Sequence, residues 1–297
     1  MRGNRMKVAI MTDTNSGMSV EDGKKLGVYV LAMPVIINGK DYHEHVDITH
    51  QELFRQLRSL ADVSTSQPAP GEVMGMWESI FDDGYDEVVY IPMTSGLTSG
   101  TANAIALSDD YDGRVQVADN HRISVPLKES VIDAVNFAKQ GYSAAEIKAL
   151  LEQDAYNSSV YITVDTLEYL KKSHRITAAA AGVANALKIK PILQIQGEKL
   201  DAFSISRTKK QSEKIMIDAV TKDLKTRFAD FPEDEIQIAM AGTLEKEEDI
   251  ERWCKKVNSK FKKYKPYYEP LSCSIACHTG IDAFAIGIMH RTKRNEE

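Results

Sequence analysis

Glu87 to Thr101 reads EVVYIPMTSGLTSGT, a Val/Ile/Tyr run with no polar alternation that breaks at Pro92 into a turn of hydroxyls and glycines. A run of that kind fits a strand buried on both faces, as in a parallel sheet covered by helices. Lys7 to Asp13 (KVAIMTD), Val28 to Ile37 and Val115 to Asp119 (VQVAD) have the same character. Between them the apolar residues fall at helical spacing: Leu53, Phe54, Leu57 and Leu60 within Thr49 to Ala61, and Val73, Met76, Trp77, Ile80 and Phe81 within Pro70 to Asp83. Alternating strands and helices predict an α/β fold with a parallel sheet.

Further along, helices are expected at Val125 to Lys139 and Ser143 to Asp154, parted by Gly141, and then a polar break at Tyr156, Asn157 and Ser158. The domain boundary is placed there, giving domains over 1–156 and 157–297; the length of 297 residues is a soft prior for two. The second half predicts a strand at Val160 to Val164, a short helix at Thr166 to Lys172 and a small-residue helix from Ala178 to Leu187. Ile192 to Gln196 and Leu200 to Ile205 flank Gly197-Glu198 as a hairpin, so this sheet is mixed. A long helix over Lys209 to Phe228, a strand over Ile236 to Ala241 and a helix over Glu245 to Lys263 follow. Strands near Tyr268 to Ala276 and Ala283 to Met289 complete the reading.

Lys+Arg 37 against Asp+Glu 43 gives a net charge of −6, which does not attract nucleic acid or an anionic membrane. The lysine-rich stretch from Lys255 to Lys265 follows an acidic first half and reads as a solvated helix end. Three cysteines without repeated spacing fit a reduced compartment, and the apolar stretch from Val28 to Ile37, interrupted by Pro34, is too short to cross a membrane. With only Val8 to Met11 as an apolar segment near the start, no export signal is expected and a cytoplasmic location is.

Ligands of open α/β sheets bind beyond the carboxyl ends of the strands. Three segments there are rich in hydroxyls: Asp13 to Gly17, Ser64 to Pro68 and Thr94 to Thr101. Each alone is a helix cap, but together they suggest a polar pocket able to hold a carboxylate. Cys273, Cys277 and His278 match no common zinc spacing. In His43-Glu44-His45 with Asp47, an extended chain turns Glu44 away from the two histidines, so a solvated edge or loop is expected and no metal site is assigned. G-x-G-x-x-G, G-x-x-x-x-G-K-[ST] and G-x-S-x-G are all missing, which disfavours kinase or serine-hydrolase chemistry.

Thr65 to Pro68 (TSQP), the Ser95-Gly96-Leu97 turn followed by Ser99-Gly100-Thr101, Lys188 to Leu193 (KIKPIL) and His278-Thr279-Gly280 together resemble the DegV family. Asp13 after the first strand and Leu170 to Ile176 (LKKSHRI) fall in matching places, so the resemblance spans essentially the whole chain. It implies a three-layer α/β/α N-terminal domain, a mixed-sheet C-terminal domain and, between them, a pocket for one long-chain fatty acid such as palmitate. Some family members, called FakB, are the fatty-acid-binding subunit of bacterial fatty acid kinase, which feeds phospholipid metabolism. A separate ATP-binding subunit performs the chemistry there, so the resemblance implies no cofactor and no catalytic residue of this chain's own. Ligand-binding roles are implied for Thr65, Ser95, Gly96 and His278, with the hydroxyls of Thr65 and Ser95 on the carboxylate. Arg175 and Arg207 are implied at the pocket mouth facing the partner, and His278 and Arg175 could act with it.

The sequence departs from the family pattern in three places: Ser173-His174 stand for Gly-Gly, one extra residue separates Leu97 from Gly100, and Gly280-Ile281-Asp282-Ala283 replaces G-P-G-A. Tail-lining candidates are Met33, Met74, Met76, Ile105, Ala178 to Ala181, Ile192, Leu193, Phe284 and Ile286. Two alternatives stand beside lipid binding: a phosphotransfer-type enzyme using His278, and a ligand-sensing regulator.

Overall fold

The computed structural model describes residues 6–183 and 189–292. Its first half runs β1 (Val8–Asp13), α1 (Val20–Leu26), β2 (Val28–Leu31), β3 (Pro34–Ile37), β4 (Lys40–His43), α2 (His50–Arg58), β5 (Val63–Thr65), α3 (Pro70–Asp82), β6 (Glu87–Ile91), α4 (Gly100–Ser108), β7 (Val115–Val117), α5 (Val125–Gln140) and α6 (Ala144–Gln153). Strands β2, β1, β6 and β7 form a four-stranded sheet in that order, every pairing parallel. Ile10, Val89 and Ile91 on one face pack with Leu127 and Val131 of α5 and Ile147 of α6, while Met11, Val88 and Tyr90 on the other meet Val73, Trp77 and Ile80 of α3. Burial on both faces is why these strands lack polar alternation.

Val28 to Ile37, expected as one strand, is two. Pro34 cannot extend the β2 ladder, because it lacks an N–H, and instead begins β3. β3 lies between β4 and β5 in a separate antiparallel sheet of three strands. The short elements α1, β4, β5 and α4 were not foreseen; α4 spreads its apolar residues around the helix and offers no stripe to read.

The second half contains β8 (Ser158–Thr163), α7 (Glu168–Lys172), α8 (Ala178–Val183), β9 (Lys190–Ile195), β10 (Asp201–Ser206), α9 (Lys209–Asp223), β11 (Ile236–Gly242), α10 (Glu247–Phe261), β12 (Tyr267–Pro270), α11 (Cys273–Thr279) and β13 (Phe284–His290). The remainder of the small-residue helix expected to Leu187, and Lys188 of the KIKPIL run, lie outside the described residues. Six strands make one mixed sheet in the order β10-β9-β8-β13-β11-β12, antiparallel except for β11 with β12. The expected β9–β10 hairpin is present.

The strand expected over Tyr268 to Ala276 ends at Pro270, and Cys273 to Thr279 is helical instead. Ser272 caps that helix, its hydroxyl accepting the Ile275 N–H at 3.2 Å. The cap and the preceding proline outweigh the strand-like look of the run.

Arg122 lies buried where the two halves join. Its guanidinium donates to the Asp154 carbonyl at 2.7 Å, to the Asp154 carboxylate at 2.8 Å and to the carbonyls of Asn157 and His290 at 3.3 and 3.2 Å. One side chain thus satisfies backbone acceptors just before the polar break, within it and at the end of β13.

Candidate functional site

The two faces of the six-stranded sheet differ in side-chain size. Along β13, Phe284, Ile286 and Ile288 alternate with Ala285, Gly287 and Met289; along β11, Ile236, Ile238 and Met240 alternate with Gln237, Ala239 and Ala241. The large set packs against Met216 and Val220 of α9 and Trp253 and Val257 of α10. Ala239, Ala241 and Ala285 instead face a core shared with Met93, Leu97 and Val125 of the first half. Small side chains leave room there. An apolar pocket of about 60 Å³ opens between Val125, Ile162, Ile195, Ala241 and Ala285.

Leu97, Ile123, Leu200, Ile275 and Thr279 also line a larger cavity of about 330 Å³, so the two spaces adjoin. The larger one is polar at its rim, with Thr65, Thr98, Arg175, Ser274 and His278. Thr65 ends β5 and His278 lies in the last turn of α11; Thr65 Oγ1 and His278 Nε2 are 2.9 Å apart across the rim. Burial, then the neighbouring Arg175 charge, pull the His278 imidazole down to about 3, so the ring is neutral at pH 7. The Arg175 guanidinium is lowered by burial yet stays charged, as arginine does in proteins. Among the described residues no carboxylate pairs with it, and its hydrogen bond is a long one, 3.4 Å to the Ser173 carbonyl.

Asp13 sits behind this rim rather than in it. Its carboxylate accepts the N–H groups of Asn15 at 2.8 Å and Met93 at 3.1 Å, tying the end of β1 to the turn after β6. Burial nonetheless pushes its carboxyl up to about 6. Asn15 Oδ1 accepts hydroxyl protons from Ser272 and Ser274, linking the first turn of the parallel sheet to α11.

Thr65, Arg175 and His278 are therefore brought together from three separated elements. Ser95 and Gly96 lie elsewhere on their turn: Ser95 is exposed with its N–H donated to Asp119 at 3.2 Å, and Gly96 lies against the β9–β10 hairpin. A Cβ at Gly96 would fall 2.9 Å from the Cα of Glu198, so only glycine permits this approach. Thr94 seals the same junction, its hydroxyl donating to the Gly197 carbonyl at 2.8 Å. Arg207 is exposed just past β10, its N–H on Gln211 Oε1 at 3.0 Å.

Of the tail candidates, Met33 lines the cavity, whereas Ile192, Phe284 and Ile286 belong to the opposite face of the sheet. Thr98 belongs to the hydroxyl-rich Thr94 to Thr101 segment, whereas Ser274 and the alanine face went unforeseen; the large-small alternation in FAIGIMH and IQIAMAG was the available signal for that face. The departures from the family pattern also have a visible outcome. His174 and Asp282 adopt φ of +56° and +61°, the left-handed backbone that glycine would take more cheaply. Asp282 does not turn toward the cavity; it lies 3.3 Å from Lys209 Nζ.

Comparison with known proteins gives one consistent result. The family model described as "Uncharacterised protein, DegV family" matches residues 7–291. A DegV domain-containing protein of Staphylococcus aureus is 29% identical over 286 residues, which is 96% of this chain and 99% of the relative. Among solved structures, a DegV family protein of Thermus thermophilus, described by its fatty acid binding, superposes with a TM-score of 0.85 at 24% identity, covering 96% of this chain and 100% of that one. A stearic-acid-binding protein of Eubacterium ventriosum superposes with a TM-score of 0.83 at 20% identity, covering 96% and 98%. No helix among the described residues is long and apolar enough to cross a membrane.

Proposed function

The chain belongs to the DegV family, and from that premise we propose that it binds one long-chain fatty acid between two units, 1–156 and 157–297. The observation that carries the proposal is Arg175, a part-buried cation with no carboxylate partner among the described residues, beside the Thr65–His278 pair at the rim of an apolar pocket. A carboxylate there exchanges hydration for a charge-assisted bond from Arg175 and a hydroxyl proton from Thr65, whose oxygen accepts the Nε2–H of neutral His278. The alkyl tail runs over the alanine face. At about 0.8 kcal/mol per buried CH₂, a 16-carbon tail contributes on the order of 10 kcal/mol before ordering costs. The tail therefore supplies most of the affinity and the rim fixes which end faces solvent.

In this reading the chain is not an enzyme by itself. It presents the carboxylate to a separate ATP-dependent kinase in the cytoplasm, consistent with the missing nucleotide motifs. Arg175 and His278 would then steady charge developing on the carboxylate, and Arg207 would face the partner. Ser95 and Gly96 would act through the shape of their turn.

Mass spectrometry of lipid extracted from the purified protein tests the binding reading. Near-stoichiometric fatty acid in the wild type and its depletion in an Arg175→Gln/Thr65→Ala double variant are expected. A wild type that carries no lipid and binds neither palmitate nor oleate would overturn it. His278→Ala separates binding from presentation: lipid should remain bound while phosphorylation by a kinase partner falls, and equal loss of both would refute that division.

A further inference from the structure

The sequence holds two ligand-like groups that match no metal pattern separately, His43-Glu44-His45 and Cys273-Cys277-His278. The fold takes one residue from each and adds His50 of α2, so that ligand atoms of Glu44, His50 and Cys273 all lie within 4.8 Å of one another. Glu44 is wholly buried here, not on the solvated edge expected from its sequence. We propose that Glu44, His50 and Cys273 form a zinc-binding site joining β4 and α2 to α11.

Glu44 supplies the strongest reason. Its Oε1 accepts the Cys273 N–H at 2.6 Å and lies 3.7 Å from Nε2 of both His45 and His50. Its Oε2, equally buried, has no hydrogen-bond partner. A buried carboxylate oxygen left without a donor is costly, and a cation is the partner that removes the cost. Without an ion, His50 Nε2 donates to the Leu271 carbonyl at 2.8 Å; on ligating zinc this nitrogen gives up that bond and the ring proton resides on Nδ1. Its side chain is 26% exposed, which gives an ion a way in from solvent.

The donor set selects the metal. Thiolate and imidazole with one carboxylate suit zinc, whereas calcium and magnesium take oxygen ligands. When the ion binds, the Cys273 S–H bond breaks, its proton passes to solvent, and the Zn–S bond forms from the sulfur lone pair with no change of oxidation state. Two anionic ligands then balance the double positive charge. Bond lengths of about 2.0–2.3 Å draw the three side chains inward, and water completes the fourth position. His278 lies on the same helix, so the ion would also steady the rim of the cavity.

The proposal is independent of the fatty-acid reading and is tested without lipid. The full chain, stripped with chelator under reductant, is titrated with Co²⁺ and then with Zn²⁺. One equivalent of Co²⁺ is expected to produce a thiolate-to-cobalt charge-transfer band that Zn²⁺ abolishes. The band should be absent in Cys273→Ser, require at least tenfold more metal in Glu44→Gln and His50→Gln, and persist in Cys254→Ser. Absence of the band in the wild type, or its survival in folded Cys273→Ser, overturns the site. If Cys273→Ser does not fold, as judged by far-ultraviolet circular dichroism, His50→Gln decides: weakened binding supports the site and wild-type binding overturns it.

Discussion

The two faces of the six-stranded sheet are built by the same strands and do opposite work. One presents Phe284, Ile286, Ile288, Ile238 and Met240 to α9 and α10, while the other presents Ala239, Ala241, Ala285 and Gly287 toward the first half of the chain. Full side chains on the first face pack directly against those helices. Alanine and glycine on the second leave a pocket that the opposing residues Leu97, Ile123 and Val125 do not fill. Dense packing and open space are thereby assigned to alternate residues of one strand, separated by its period of two.

Substitutions at adjacent positions of β13 should pull the two roles apart. Ile286→Ala opens a cavity in the packed face and should cost about 2–5 kcal/mol in denaturant unfolding, with bound lipid retained in the protein that remains folded. Ala285→Leu fills the open face: lipid should be lost from extracts while stability changes by no more than about 1–3 kcal/mol. If both variants lose stability and lipid together, the separation of faces is wrong.

The rim offers a smaller test. Arg175→Gln removes the charge-assisted bond to the ligand and should weaken fatty-acid binding by about 2 kcal/mol, or roughly 30-fold, in titration calorimetry. Thr65→Val should weaken it by about 1 kcal/mol. A larger effect of Thr65 than of Arg175 would move the carboxylate away from the guanidinium.

Protonation gives the last comparison. Folded His278 titrates at about 3 against an ordinary value of 6.5, so between these values the unfolded chain binds the extra proton and stability rises with pH. That contribution is intact above 6.5 and is lost as pH falls toward 3. His290 behaves in the opposite sense: burial works against its charge, but Asp154 at 2.7 Å and Glu235 outweigh burial and raise its pKa. Its stabilisation is full below about 6.5 and disappears as pH rises through the higher folded value. Unfolding of His278→Gln should therefore show a smaller loss between pH 7 and pH 5 than the wild type, and His290→Gln a larger one.

Much of the architecture was legible because it depends on local pattern. KVAIMTD, EVVYIPM and VQVAD look like doubly buried strands and become the β1, β6 and β7 strands of the parallel sheet. Val28 to Ile37 misled because its composition is uniform while Pro34 moves the chain to another sheet. Tyr268 to Ala276 misled because strand-like residues continue past Pro270, where the decisive signal is the single cap at Ser272.

For the candidate site, the family resemblance named Thr65 and His278, and the structure brings them into contact across 213 positions of sequence. The tail-lining candidates show a different failure. Phe284 and Ile286 are apolar but face the helices, whereas a pocket is made by what a side chain omits, and Ala285 lines it. Nothing local could reveal that Glu44 and Cys273, 229 positions apart, are neighbours.

The contact between Gly96 and Glu198 has a consequence for descent. A side chain at position 96 would meet the hairpin backbone at 2.9 Å, so no single substitution there is neutral while the hairpin keeps its course. A lineage can replace Gly96 only if the β9–β10 hairpin shifts its path in the same interval. The two segments, 102 positions apart, constitute a single heritable character.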